Sequence, residues 1–147
     1  MKAAGLILAL ATTVLAATTA SAQSADPTAT RLMAAEHSVL DSVKNGDVKT
    51  FSRLVKAGTW GVDENGPSLV DDFIKAFKDV KVESISVSDM KVVPIDENAS
   101  IVTYKLEQKG TFQNMPWPPV VYASTVWFRQ GGTWQAIFHQ ESTAAKH

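Results

Sequence analysis

The chain has 147 residues, with 14 Lys and Arg against 15 Asp and Glu, a formal net charge of −1 and 45% hydrophobic residues. A balance so near neutral, without a block of like charge, excludes a nucleic-acid footprint and an electrostatic membrane anchor. The absence of cysteine excludes disulfides, thiolate metal sites, a cysteine nucleophile and a lipidated cysteine.

The first 22 residues, MKAAGLILALATTVLAATTASA, combine a basic start at Lys2, an uncharged run from Ala3 to Ala17 and the small residues Ala20-Ser21-Ala22. This is the pattern of a secretory signal peptide cleaved after Ala22; a membrane anchor needs a longer run, richer in large apolar residues. An exported domain without disulfides relies on its core, which suits a bacterial periplasmic or secreted protein with no membrane attachment after cleavage. Residues 23–29 are polar and predict a disordered mature N-terminus, 30–143 predict one domain, and 144–147 a tail.

From Thr30 to Val43, Leu32, Ala35, Val39, Leu40 and Val43 recur at three- and four-residue steps, which predicts an amphipathic helix. Gly46 suits its C-terminal cap, and Asp47 the N-terminal cap of a second helix carrying Val48, Phe51, Leu54 and Val55. A short strand at Thr59–Asp63 leads to an Asn65-Gly66 turn. Ser68 followed by Asp71 resembles a capping box for a third helix of about three turns, with Leu69, Val70, Phe73, Ile74 and Phe77 as its stripe. The period then falls to two: Val80 and Val82 slip phase to Ile85 and Val87, predicting a bulge in a long strand. Val102, Tyr104 and Leu106 share one face of the next strand, and three prolines around Trp117 make residues 110–120 an edge or loop.

Gly131-Gly132 predicts a two-residue hairpin turn joining the last two strands. Counting outward opposes Arg129 to Trp134, Trp127 to Ala136, Thr125 to Phe138 and Ser124 to His139. One face then carries Thr125, Trp127, Trp134, Ala136 and Phe138, the other Tyr122, Ser124, Val126, Phe128, Ile137 and His139. Both hold large apolar groups, so one is expected to pack on the helices and the other on a partner subunit or a second layer, a homodimer being the economical case.

Three helices with a short strand between the second and third, then a long bent strand and a meander ending in G-x-W-x-x-x-x-H, resemble the nuclear transport factor 2-like superfamily. Within it the chain is most similar to the SnoaL-like and ketosteroid-isomerase-like branch. The final hairpin (124–142) and the WGVDENG segment (60–66) carry the match, which covers residues 30–143. The resemblance implies an α+β cone-shaped roll of the cystatin-like kind, in which three N-terminal helices pack on a curved, mainly antiparallel sheet around a cavity, often dimeric through the outer face. Members include isomerases, dehydratases, cyclases and ligand-binding or assembly domains. The aspartate, tyrosine and protonated acid of the isomerases find no match position by position.

Several residues read as site candidates, each with a structural alternative. His139 reads as a general base or as a cross-strand partner of Ser124; Asp63 as a base in an apolar pocket or as turn chemistry. Tyr104 is a core tyrosine whose hydroxyl is available as an electrophilic donor. Trp60, Met115 and Trp117, with Tyr104 and His139, read as ligand-binding residues of an apolar pocket. Arg129 opposite Trp134 predicts a cation–π pair. Three scattered histidines, Glu36-His37 included, predict no metal site, and no cofactor motif is present. The leading expectation is an exported module that binds a small, largely apolar molecule or serves as a non-catalytic binding domain. The alternatives are a cofactor-free isomerase, dehydratase or cyclase using Asp63 or His139 with Tyr104, and a protein-assembly module.

Overall fold

The computed structural model describes residues 26–145. The predicted signal segment, 1–22, lies outside the described residues, as do 146–147 of the tail. Helix α1 spans Pro27–Asn45, beginning inside the 23–29 stretch expected to be disordered. Its start is set by Asp26, whose carboxylate accepts the Thr28 amide at 2.9 Å, with Pro27 at the first helical position, where a missing N–H costs nothing. Gly46 ends it in the left-handed region at φ 68°, as a C-terminal cap requires. Asp47 then caps α2, Val48–Leu54, through the Thr50 amide at 3.0 Å.

Strand β1, Val55–Asp63, begins four residues before the predicted Thr59, so Val55 leaves the helix stripe and joins the sheet. It pairs with β2, Gly66–Leu69, and here the expected capping box fails. Ser68 is held in the hairpin opposite Gly61, which delays α3 to Val70–Lys75, six residues rather than three turns. Asp71 does not close a box; its carboxylate accepts the Gly58 amide of β1 at 2.7 Å and ties the helix to the sheet. A 3₁₀ turn at Phe77–Asp79 leads into β3, Val80–Pro94. The phase slip after Val82 is a bulge, and a second bulge follows Ser88 with Asp89 at φ 56°.

Strands β4 (Ala99–Phe112), β5 (Met115–Pro116), β6 (Val120–Gln130) and β7 (Thr133–Thr143) complete the chain. The main sheet order is β2-β1-β7-β6-β4-β3, with β5 on β4; β1 runs parallel to β7, and the other pairs are antiparallel. The result is an α+β roll, N-terminal helices on a strongly curled mixed sheet. Leu32, Val102, Val121 and Trp127 are fully enclosed between α1 and the sheet. Phe51, Phe73, Phe77 and Phe112 pack ring to ring at 5.3–5.6 Å and close the α2–α3 end.

The last hairpin holds the largest departure from the sequence reading. Gln130–Thr133, Arg129–Trp134 and Trp127–Ala136 pair as counted from Gly131-Gly132. Beyond them Val126 opposes Phe138 and Thr125 opposes His139, because Ile137 is an extra residue on β7. Side chains alternate along a strand, so one inserted residue reverses every face beyond it. Phe138 therefore turns to the outside and His139 to the inside, with Thr125 rather than Ser124 as its partner. Arg129 stands 5.6 Å from the Trp134 ring centroid, the expected cation–π pair, and also donates to Asn98 at 3.2 Å.

Candidate functional site

A cavity of about 240 Å³ lies between the concave face of the sheet and the helices. Its wall is mostly apolar, including Val39, Leu40, Phe51, Val55, Phe73, Ile85, Leu106 and Trp117. The polar groups concentrate on one side, around a carboxylate that the sequence reading passed over. Glu36 is only 1% exposed, and it sits in the middle of the apolar stripe of α1, four residues after Leu32 and three before Val39. A buried carboxylate is costly unless hydrogen-bonded, and Glu36 has three donors from two strands. Tyr104 and Thr125 hydroxyls donate to Oε1 at 2.8 Å each, and the Trp127 indole N–H donates to Oε2 at 2.6 Å. Glu36 is an acceptor throughout, the role a carboxylate fills.

The direction of these bonds fixes the next ones. Because the Thr125 proton points at Glu36, its oxygen is left to accept, and the His139 Nδ1 at 2.9 Å must be the donor. His139 Nε2 then faces Glu141 Oε1 at 3.3 Å, where a proton on both ring nitrogens suits a carboxylate best. Burial pulls the histidine pKa down, but the Glu141 hydrogen bond and charge, with the Glu36 charge beyond, outweigh it and leave it raised. A third of the His139 side chain stays open. Burial, then the Glu36 charge and hydrogen bond, drive the Tyr104 hydroxyl well above its usual range, so it remains a donor.

Backbone pairing explains the assembly. Ser68, Gly61, His139 and Thr125 form one row across β2, β1, β7 and β6, while Glu141, Ala123 and Tyr104 form a second across β7, β6 and β4. All but Ala123 line the cavity. Trp117 reaches the wall by lying on Gly110, where a Cβ would stand 2.8 Å from the indole ring and 2.5 Å from the Lys81 carbonyl oxygen. Only glycine leaves room for that close approach.

Of the predicted site residues, Tyr104, Trp117 and His139 are brought together around the cavity. Asp63 is not: exposed at the β1–β2 turn, its carboxylate accepts the Asn65 amide at 2.7 Å, an ordinary turn contact away from the cavity wall. Trp60 falls between the inward residues Thr59 and Gly61 and so points outward, 49% exposed. Met115, on the short edge strand β5, is 71% exposed and does not line the cavity. Among the described residues, no group of His, Asp and Glu has the arrangement of a metal site.

No family model matches the chain, and no curated protein matches it in sequence. Solved structures do match. A nuclear transport factor 2-like protein from Cytophaga hutchinsonii superposes with a TM-score of 0.73 at 18% identity, over 78% of this chain and 97% of that one. A nuclear transport factor 2-like protein of unknown function in nutrient uptake from Rhodospirillum rubrum gives 0.71 at 17% identity, over 78% and 98%. The association domain of C. elegans CaMKII gives 0.63 at 18% identity, over 78% and 94%. The chain therefore has the nuclear transport factor 2-like fold, a scaffold that does not by itself specify a function.

Proposed function

We propose that the protein is an exported, non-catalytic domain that binds a small, largely apolar molecule in the cavity between helices and sheet. One observation carries this reading: the cavity is apolar over most of its wall, while the protons of its candidate catalytic groups are already engaged within the protein. The Tyr104 hydroxyl that an isomerase or dehydratase would aim at a substrate donates to Glu36, and His139 lies between Thr125 and Glu141. A volume of about 240 Å³ is below the usual ~300–1,000 Å³ of drug-sized sites and suits a smaller molecule. Narrowing the cavity with Leu40→Trp tests the reading: ligands that raise the melting temperature of the wild type are expected to lose their effect on the variant. Retention of the full shift would move the binding site elsewhere.

A second copy of the chain on the outer face is a further part of this reading. The bulge places Trp60, Phe138, Val126, Ile101 and Val93 in one apolar row across five strands, with Trp60 and Val93 each 49% exposed and Tyr122 and Phe128 nearby on the same face. Sedimentation is expected to give a dimer that Trp60→Glu converts to monomer; a wild-type monomer at high concentration removes it. The likeness to the SnoaL-like and ketosteroid-isomerase-like branch rests on the final hairpin, the WGVDENG segment and the helix order, and extends the reading no further.

A further inference from the structure

The cavity is rich in hydrogen-bond acceptors and poor in donors. Tyr104 and Thr125 spend their hydroxyl protons on Glu36. Thr59 donates to the Ala136 carbonyl at 3.2 Å, and the Gln108 amide to the Pro118 carbonyl at 3.2 Å. His139 turns one ring nitrogen to Thr125 and the other to Glu141. Among the lining side chains, the donors left without a partner are the Ser68 hydroxyl, a second Gln108 proton and the Trp117 indole N–H, and the rest is lone pairs. Among the described residues, no lysine or arginine lines it.

The two carboxylates differ in what they have left to give. Glu36 is saturated by three donors and enclosed. Glu141 has one side-chain partner among the described residues, His139, on Oε1 at the long distance of 3.3 Å, and its side chain is 26% exposed. Its other oxygen is free to accept. An anionic ligand meets two carboxylates against a single imidazolium that is already paired with Glu141, whereas a ligand with N–H groups and positive charge meets the second Glu141 oxygen and further lone pairs. Trp117 and Phe73 also line the cavity, and an aromatic ring suits a cation in a partly dry setting.

Resting on the small-molecule reading above, we infer that the ligand is a small lipophilic amine, its ammonium held by Glu141 and its hydrocarbon body against the apolar wall. The volume is consistent with this size: a cavity of roughly 150 Å³ accepts a benzene ring, so about 240 Å³ holds a ring with a short aminoalkyl arm.

Benzylamine, benzyl alcohol and benzoate share a shape and differ in charge, and titration calorimetry of the protein with each separates the cases. Benzylamine is expected to bind about 10- to 100-fold more tightly than benzyl alcohol, the range of one hydrogen bond to a charged group, and benzoate weakest. In Glu141→Gln the amine is expected to fall to the affinity of the alcohol, with alcohol binding unchanged, which also reports that the variant is folded. Equal affinity for amine and alcohol, preference for benzoate, or an amine preference that survives Glu141→Gln overturns the amine assignment and leaves the binding reading standing. No binding of any of the three overturns both.

Discussion

Glu36 and Glu141 stand at the two ends of one hydrogen-bonded chain through Thr125 and His139, and the same functional group meets opposite circumstances there. At the floor of the cavity Glu36 is enclosed and accepts three short bonds, so its charge fixes the relative positions of α1, β4 and β6. Glu141, on the same wall, keeps one longer bond and some exposure. A fully partnered charge specifies the fold, because nothing else can take its place; an incompletely partnered one is available to a ligand.

Removing the floor has the largest expected effect. Glu36→Ala leaves three buried donors without an acceptor, and chemical denaturation is expected to show a loss of about 3–5 kcal/mol, from penalties of about 1–3 kcal/mol per unsatisfied donor partly offset by the carboxylate no longer being desolvated. A loss under about 1 kcal/mol would mean that the donors find water instead, and the contrast between the two ends would fail.

Gly110→Ala strikes the wall opposite. The added methyl meets both the Trp117 ring and the Lys81 carbonyl, so a cost of about 1–3 kcal/mol is expected from overpacking. Tryptophan fluorescence compared with that of Trp117→Phe should attribute the spectral change to Trp117 leaving its seat. Thr125→Val cuts the chain in the middle at nearly constant shape. It is expected to cost about 1–3 kcal/mol, as for a lost buried hydrogen bond, and to leave His139 Nδ1 unpartnered. An unchanged denaturation midpoint would separate the two carboxylates into independent sites.

The smallest effect is one of pH. Because the His139 pKa is raised in the folded protein, its contribution to stability is fully present below the unfolded value near 6.5 and is lost as pH rises through the folded value. The melting temperature of the wild type relative to Glu141→Gln is therefore expected to be higher at pH 5.5, with the gap closing towards pH 9. A gap that is constant over that range would mean that the imidazolium does not pair with Glu141.

Much of the architecture was legible from periodicity. The α1 stripe, the bulge after Val82, the Val102-Tyr104-Leu106 face and the Gly131-Gly132 turn each leave a local pattern, and each is found. The α3 cap was misread because Ser68 and Asp71 have equally good uses in a hairpin and in a cross-tie to Gly58, and tertiary pairing decided between them. Half of the site is within reach of the sequence: Glu36 at the centre of an apolar helical stripe is a buried-charge signal in its own right, separate from any metal-ligand reading of Glu36-His37. The outward direction of Trp60 also follows from the alternation Thr59-Trp60-Gly61 once either neighbour is placed. The Ile137 bulge left no comparable trace, since TWQAIFHQ alternates acceptably in either register and only the partner strand distinguishes them.

That bulge acts on β7 as a frameshift acts on a coding message: everything before it keeps its sense, and everything after it is read in the other frame. A strand that took Ile137 into the ladder instead of leaving it unpaired would retain its turn and its Trp127–Ala136 pairing, while Phe138 entered the cavity and His139 joined the surface. Whether β7 offers an imidazole or a phenyl ring to the interior at this point thus rests on one residue left out of the ladder.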